Sequence, residues 1–393
     1  MLVGVIGKPS VGKSTFFRAC TLAEAEIASY PFTTIKPNHA ISFVKIDCVD
    51  KEFNKQCNPR TGYCINHNRF IPVEILDVAG LVPGAHEGKG LGNKFLDDLR
   101  QADVLIHVVD ASGSTNEKGE SVEPLSYDPC NDIKFLEDEI DMWLFGIIKK
   151  GWDKFVRQQA LENLELHKAV AKQLSGFGVT ERIAEEVLKG FSADINGWSN
   201  DTILDFTRNA RRKTKPIIIA ANKIDVSGAE RNLKKLKEKF SDYIIVPCSA
   251  DFELALREAA KANLIKYIPG EDGFGVTGSL NNKQSAALNN IQKFLDKFGS
   301  TGVQDVLNTA VLELLGYIAV YPGGVNKLTD SEGRVLPDCF LMKSGSTALD
   351  FAFRLHTDFG KNFIRAVDVK RKMTVGREYV LKHKDVIEIM AGK

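Results

Sequence analysis

The sequence has no run approaching the ~18 consecutive apolar residues of a membrane-spanning helix. It also lacks a dominant charge: 52 Lys and Arg stand against 51 Asp and Glu, a net +1. No overall electrostatic pull toward nucleic acid or a membrane follows from that balance. Cysteine is sparse and odd in number, 7 in 393 residues, which excludes a secreted disulfide framework. The opening "MLVGVIGKPS" lacks the basic, apolar and small-residue parts of a signal peptide. A cytoplasmic protein with no membrane partner is expected. What remains is an ordinary composition, 44% hydrophobic and 26% charged, which excludes a largely disordered chain. The length allows two or three domains with proper cores.

Cys20 and Cys248 lie beside apolar runs and read as packed thiols. One cluster stands apart: Cys57, Cys64 and His67, with Cys48 nearby, in "CVDKEFNKQCNPRTGYCINH". A metal site, a local disulfide and free thiols are all open there. The Cys–Cys gap is wider than in common zinc motifs, which favours free thiols.

The strongest signal is "VGVIGKPSVGKST", an apolar strand (Leu2 to Ile6), a loop, and a helix start carrying Phe16, Phe17 and Ala19. The loop fits G-x-x-x-x-G-K-[ST] at Gly7, Gly12, Lys13 and Ser14. Glycine lets the backbone curl so that successive N–H groups point inward, and the helix N-terminus adds partial positive charge. The candidate nucleotide-binding stretch is Pro9, Ser10, Val11, Gly12, Lys13, Ser14 and Thr15. Lys13 is expected on the β/γ-phosphates as a catalytic cation, and the Ser14 hydroxyl on Mg²⁺. In "VEILDVAG" the strand of Val73, Ile75 and Leu76 ends in Asp77, a carboxylate suited to hold Mg²⁺ through water. Gly80 lets a backbone N–H approach a γ-phosphate closely.

"PIIIAANKID" buries Ile217, Ile218 and Ile219 in a parallel-sheet strand and ends in Asn222, Lys223 and Asp225. Ligands of such sheets sit beyond the carboxyl ends of the strands. Guanine presents N1–H and N2–H on one edge, and a single carboxylate, Asp225, can accept both. Adenine would leave that carboxylate unpaired. Asn222 is expected at the other side of the base and the Lys223 stem over its face. "YIIVPCSADFE" is a further strand ending in Ser249, Ala250 and Asp251, with the Ala250 N–H expected to meet the guanine oxygen. The predicted ligand is GTP, with GDP as product. A P-loop kinase would give no reason for "NKID" and "SAD" at successive strand tips.

Taken in order, G-x-x-x-x-G-K-S, "YPFTT", "DVAG", "NKID" and "SAD" resemble the Obg family of GTPases. "YPFTTIKPN" (30–38) and "GLVPGAHEGKGLGNKFLDDLRQAD" (80–103) are similar to its YchF-related branch over almost the whole chain. The resemblance implies an α/β P-loop NTPase G domain with a mainly parallel sheet, an α-helical insert and a C-terminal β-grasp TGS domain. It implies that Thr34, with Thr33 the weaker candidate, closes on Mg²⁺ and the γ-phosphate. Gly84, Gly88, Gly90 and Gly92 suggest a switch that reorders when that phosphate leaves.

Two departures from the family pattern, and one difference from Ras-like enzymes, bear on chemistry. YchF proteins proper carry N-x-x-E and prefer ATP, so Asp225 sets this chain with GTP-reading relatives. Ser10 stands where Obg proteins usually carry asparagine, which weakens the case for K⁺ as a second cofactor. Leu81 stands where Ras-like enzymes place a water-orienting glutamine, so slow intrinsic hydrolysis is expected. His86 is the nearest titratable residue, with a solvated loop histidine the favoured reading.

Helical spacing in "DIKFLEDEIDMWLFGIIKK" and "DKFVRQQALENLELHKAVAKQL", with shorter runs near 181–191 and 201–210, predicts the insert over 128–212. The G domain then comprises 1–127 with 213–315, and TGS 316–393. "DCFLMKSG", "FIRAVDV" and "DVIEIM" read as strands around the helical "TALDFAFRLHTDFG". A modest excess of Lys and Arg in this last part, with the family's association, makes ribosome or RNA the expected partner through the TGS and helical parts. The rival readings are an ATPase and a non-catalytic, nucleotide-gated scaffold.

Overall fold

The computed structural model describes residues 1–22, 38–78, 98–162 and 164–392. It divides into two compact units, Met1–Phe17 with Ile75–Phe252, and Arg18–Glu74 with Glu253–Lys393. In chain order the first half runs β1 (Leu2–Ile6), α1 (Lys13–Thr21), β2 (His39–Asp47), β3 (Tyr63–Ile65), β4 (Asn68–Asp77) and β5 (Val104–Asp110). Helices α2 (Cys130–Glu162), α3 (Leu166–Leu174), α4 (Glu181–Leu188) and α5 (Asn200–Thr214) follow. Then come β6 (Ile217–Asn222), α6 (Ala229–Lys239), β7 (Ile245–Pro247) and α7 (Ala250–Lys261).

In the first unit β1, β5, β6 and β7 pair in parallel, with Val5 opposite Ile106, Ile106 opposite Ile218, and Ile219 opposite Ile245. β1, β5 and β6 are buried along their whole length, as expected for strands covered on both faces. The end of β4 lies with them, since the Val78 N–H donates to Val5 O at 3.1 Å. This is the P-loop NTPase architecture. Every strand tip (Gly7, Asp77, Asp110, Asn222, Cys248) opens on the carboxyl edge of the sheet.

Helices α2 to α5 bury Leu144, Ile148, Trp152, Phe155, Trp198 and Phe206 against one another. Arg211 of α5 is buried and reaches Asp141 at 2.9 Å and Glu137 at 3.1 Å on α2, so this buried guanidinium is paired with two carboxylates across that interface. Ser199 caps α5 by accepting from the Thr202 N–H, and Arg211, Arg212 and Lys213 sit in its last turn, opposite the negative end of the helix dipole.

In the second unit β3 and β4 form a hairpin whose two-residue loop, Asn66 and His67, has positive φ at both positions. Further on lie β8 (Ile265–Tyr267), β9 (Phe274–Val276), α8 (Asn282–Phe298) and α9 (Val303–Asn308). The last part has β10 (Tyr317–Pro322), β11 (Phe340–Lys343), α10 (Ala348–Leu355), α11 (Thr357–Lys361), β12 (Phe363–Asp368), β13 (Met373–Val375) and β14 (Asp385–Ala391). These strands make one sheet in the order β11-β10-β14-β12-β13, with only β10 and β14 parallel. α10 starts at a Thr347–Asp350 capping box and buries Ala348, Phe351 and Ala352 against Val320, Phe363, Ala366 and Ile387. One helix laid over a mixed sheet in this way is a β-grasp. Among the described residues no helix is long and apolar enough to cross a membrane.

Candidate functional site

The loop from Gly7 to Gly12 leaves β1 and enters α1 at Lys13. Gly12 has φ +91, and a Cβ there would lie 2.2 Å from Asn222 Nδ2, so only glycine fits both the turn and the neighbour. Ser10 also takes a positive φ of 63, an uncommon conformation for a side-chain-bearing residue. The Ser14 side chain, in the first turn of α1, faces solvent.

Asn222, at the tip of β6, is buried and satisfied on both ends of its amide. Its Nδ2 donates to Val11 O at 2.9 Å, and its Oδ1 accepts from the Ala250 N–H at 2.9 Å. The sequence suggested that Asn222 and the Ala250 N–H meet the base directly. In this geometry they meet each other, and Asn222 fastens the phosphate loop to the loop before α7. Lys223 is also held by the protein. Its Nζ donates to Ser10 O at 2.9 Å and to Asp110 at 3.0 Å, so the stem crosses toward the phosphate loop. Asp225 is exposed and has no hydrogen-bond or ion-pair partner among the described residues. Ser249 is buried and accepts from the Phe252 N–H at 3.3 Å; Asp251 is exposed.

Lys13 and Asp77 form an ion pair. The cation expected on phosphate and the carboxylate expected on Mg²⁺ thus neutralise one another at the mouth of the loop. Thr33, Thr34, Gly80, Leu81, Gly84, His86, Gly88, Gly90 and Gly92 lie outside the described residues.

Two groups escaped the sequence reading. Asp110 ends β5 and accepts from Ser112, Ser114 and Thr115 as well as Lys223. Burial alone would raise its pKa, but the Ser112 hydrogen bond and the Lys223 charge outweigh it and hold the carboxyl low. Lys8 is buried, donates to Thr115 O and Asp132 at 2.9 Å each, and lies 3.9 Å from the Tyr127 ring centroid. Burial lowers the Lys8 pKa despite Asp132, and burial raises that of Asp132 despite Lys8. The findable signal for Asp110 was "VLIHVVDAS", an apolar strand ending in an acid followed by hydroxyls, the pattern already read at Asp77.

A glycine-lined phosphate loop, its lysine opposite a strand-tip carboxylate, and an N-K-x-D tip tied back to that loop are brought together on one sheet edge. Three family models match the chain around them: a 50S ribosome-binding GTPase over 2–136, an Obg-like GTPase YGR210-like G4 motif-containing domain over 220–324, and a TGS domain over 330–391. An uncharacterized GTP-binding protein of Methanocaldococcus jannaschii is 48% identical over 392 residues, covering 100% of this chain and 99% of the relative. The chain belongs to the Obg-like family of P-loop GTPases, in its YchF-related branch. The crystal structure of a GTP-binding protein from Pyrococcus horikoshii superposes with TM-score 0.80 at 40% identity, covering 100% of both chains. The Bacillus subtilis ribosome-binding ATPase YchF is 28% identical, covering 98% of each chain. This Obg-like chain is thus a GTP-binding protein whose relatives include an enzyme named for ATP.

Proposed function

We propose that the protein hydrolyses GTP and acts in the cytoplasm as a nucleotide-dependent switch on the ribosome. The observation that carries the base assignment is the contrast at the tip of β6. There Asn222 and Lys223 are committed to protein partners, while Asp225 keeps an unpaired carboxylate for the N1–H and N2–H of guanine.

Lys13 would exchange Asp77 for the β/γ-phosphate oxygens, with inward N–H groups from Ser10 to Thr15 completing the grip. The Ser14 hydroxyl and Asp77 carboxylate are hard oxygen donors that suit Mg²⁺, with Thr34 as a further ligand; the ion, when bound, neutralises charge on the phosphate oxygens. Asp77 freed from Lys13 is then available to that ion. Thr34 and Gly80 would sense the γ-phosphate. Leu81 cannot orient a water, so turnover without a partner is slow. The nucleotide domain would comprise 1–127 with 213–315, the helical insertion 128–212, and the TGS domain 316–393. The name of the Bacillus subtilis relative supports ribosome binding as the readout.

That relative also favours a second reading, an ATPase. Competition between GTP and ATP for the protein decides between them: GTP is expected to win by at least about 100-fold, because ATP would leave the Asp225 carboxylate unpaired. Tighter ATP binding overturns the base argument. Turnover with and without ribosomes separates a hydrolase from a scaffold, and no hydrolysis in either condition favours the scaffold.

A further inference from the structure

Outside the nucleotide site, the segment between β2 and β4 gathers four donor groups. Cys48 follows β2, Asp50 lies in the single helical turn after it, Cys57 lies in the loop, and Cys64 is on β3. One ligand atom of each lies within 4.8 Å of all the others. Cys48 and Cys57 place their sulfurs 3.4 Å apart, and the Cys64 sulfur is 3.9 Å from Asp50 Oδ2. Donors bound to one zinc ion at about 2.3 Å in a tetrahedron stand about 3.8 Å from one another. Cys48, Asp50 and Cys57 are buried.

We propose that Cys48, Asp50, Cys57 and Cys64 form a structural zinc site. Three soft thiolates and one carboxylate suit a divalent, borderline-soft, four-coordinate ion, and no ligand position is left open for chemistry. His67, the residue the sequence suggested as a ligand, sits one shell further out. Its Nδ1 is 2.8 Å from Asp50 Oδ1, where it fixes the carboxylate as an outer partner does in a protein metal centre. The Cys57 N–H donates to Asp50 Oδ2 at 2.8 Å and turns the loop inward. Gly62 makes the fold possible, since with φ +73 a Cβ would lie 2.1 Å from Phe70 O.

A second observation points the same way. Arg69, opposite Cys64 in the hairpin, is completely buried, and among the described residues no carboxylate pairs with it. Its guanidinium donates to Leu336 O at 3.0 Å, to Pro337 O at 3.1 Å and to the Cys57 sulfur at 3.6 Å, while Nε has no partner. A buried, uncompensated cation is costly. Three thiolates and a carboxylate around a divalent ion carry net negative charge, which supplies the missing counter-charge. A disulfide between Cys48 and Cys57 would remove that charge and strand the third thiol and Asp50.

The ion would also hold the C-terminal sheet. The loop it ties donates from the Asn58 N–H to Val335 O and from the Arg60 N–H to Pro337 O, both at 2.9 Å, and Tyr321 of β10 reaches the Cys48 sulfur at 3.8 Å. Zinc therefore fastens the segment on which residues 335–337 rest.

The test uses the full chain, purified under reducing conditions with added zinc and passed over a chelating resin. Elemental analysis is expected to find about 1 zinc per chain, falling below about 0.1 in the triple variant Cys48→Ser, Cys57→Ser, Cys64→Ser, which should still bind GDP. Cobalt added to stripped wild-type protein should give tetrahedral d–d bands and a strong sulfur-to-cobalt charge-transfer absorption, a readout independent of any variant's folding. Asp50→Asn should weaken zinc binding at least about 10-fold. Stripping zinc should speed proteolysis near residues 323–336 without changing GDP affinity. Wild-type protein with less than about 0.1 zinc and no cobalt charge-transfer band overturns the proposal. So does full zinc retention in the triple variant, or a Cys48–Cys57 disulfide in the freshly isolated protein.

Discussion

The two polar centres of this chain handle buried charge in opposite ways. At the nucleotide edge each cation already has an anion: Lys13 has Asp77, Lys223 has Asp110 and Lys8 has Asp132. A ligand that needs one of these cations must displace a partner, whereas among the described residues Asp225 and Asp251 are exposed with no partner to displace. Around Cys57 the reverse holds, since Arg69 is buried with no carboxylate and soft donors converge instead. A reversible ligand suits a site that is neutral without it. A permanent ion suits a site whose charges balance only with it.

The comparison breaks most visibly at Lys13. Lys13→Ala should lower GTP and GDP affinity by at least about 100-fold, from lost charge-assisted bonds to phosphate, in a binding titration. Its effect on thermal stability should be small, because Asp77 is partly exposed and can be hydrated. Affinity kept within about 3-fold would mean that the ion pair does not mark the phosphate site.

Asn222→Ala is next in size. It leaves the Val11 carbonyl and the Ala250 N–H without partners in a buried place, which should cost about 2–3 kcal/mol in denaturant unfolding. Nucleotide affinity should fall with it, because the phosphate loop loses its tie to the loop before α7. An unchanged midpoint would show that the tie is incidental.

A further effect, small near neutral pH, appears only on acidification. His107 is wholly buried in β5, its Nδ1 has no partner among the described residues, and burial, with the Lys8 charge, pushes its pKa down to about 3. The unfolded chain therefore binds this proton first, and stability is lost as pH falls from about 6.5 toward about 3, at up to about 1.4 kcal/mol per pH unit from this group. His107→Leu should flatten that part of the stability profile. An unchanged slope would assign the acid sensitivity to other groups.

Legibility in the sequence followed contiguity. The phosphate loop, Asp77 and N-K-x-D are short strings at strand ends, so both position and chemistry could be read from residues a few places apart. The apolar runs of β1 and β6 could be read as strands for the same reason, β6 as one covered on both faces, whereas β5, with His107 and Asp110 in it, was not read. Lys8 and Asp132 are separated by 124 positions, and only the fold brings them to 2.9 Å. The partners of Asn222 were hidden for a related reason, since Val11 and Ala250 meet it through main-chain atoms that carry no sequence signature. The cysteine pocket was half legible. Cys48, Cys57 and Cys64 stood out, but their irregular spacing hid the geometry, Asp50 looked like an ordinary turn residue, and His67 drew attention that belonged to it.

The central claim is that the carboxylate of Asp225 selects guanine, and base preference in Asp225→Asn tests it most directly. An amide can still accept one hydrogen bond but also offers a donor, which matches the carbonyl that xanthine carries in place of the guanine amino group. The account predicts that GTP affinity falls about 100-fold while xanthosine triphosphate gains by a similar factor. A variant that holds GTP as tightly as before, with no gain for xanthosine triphosphate, would contradict it.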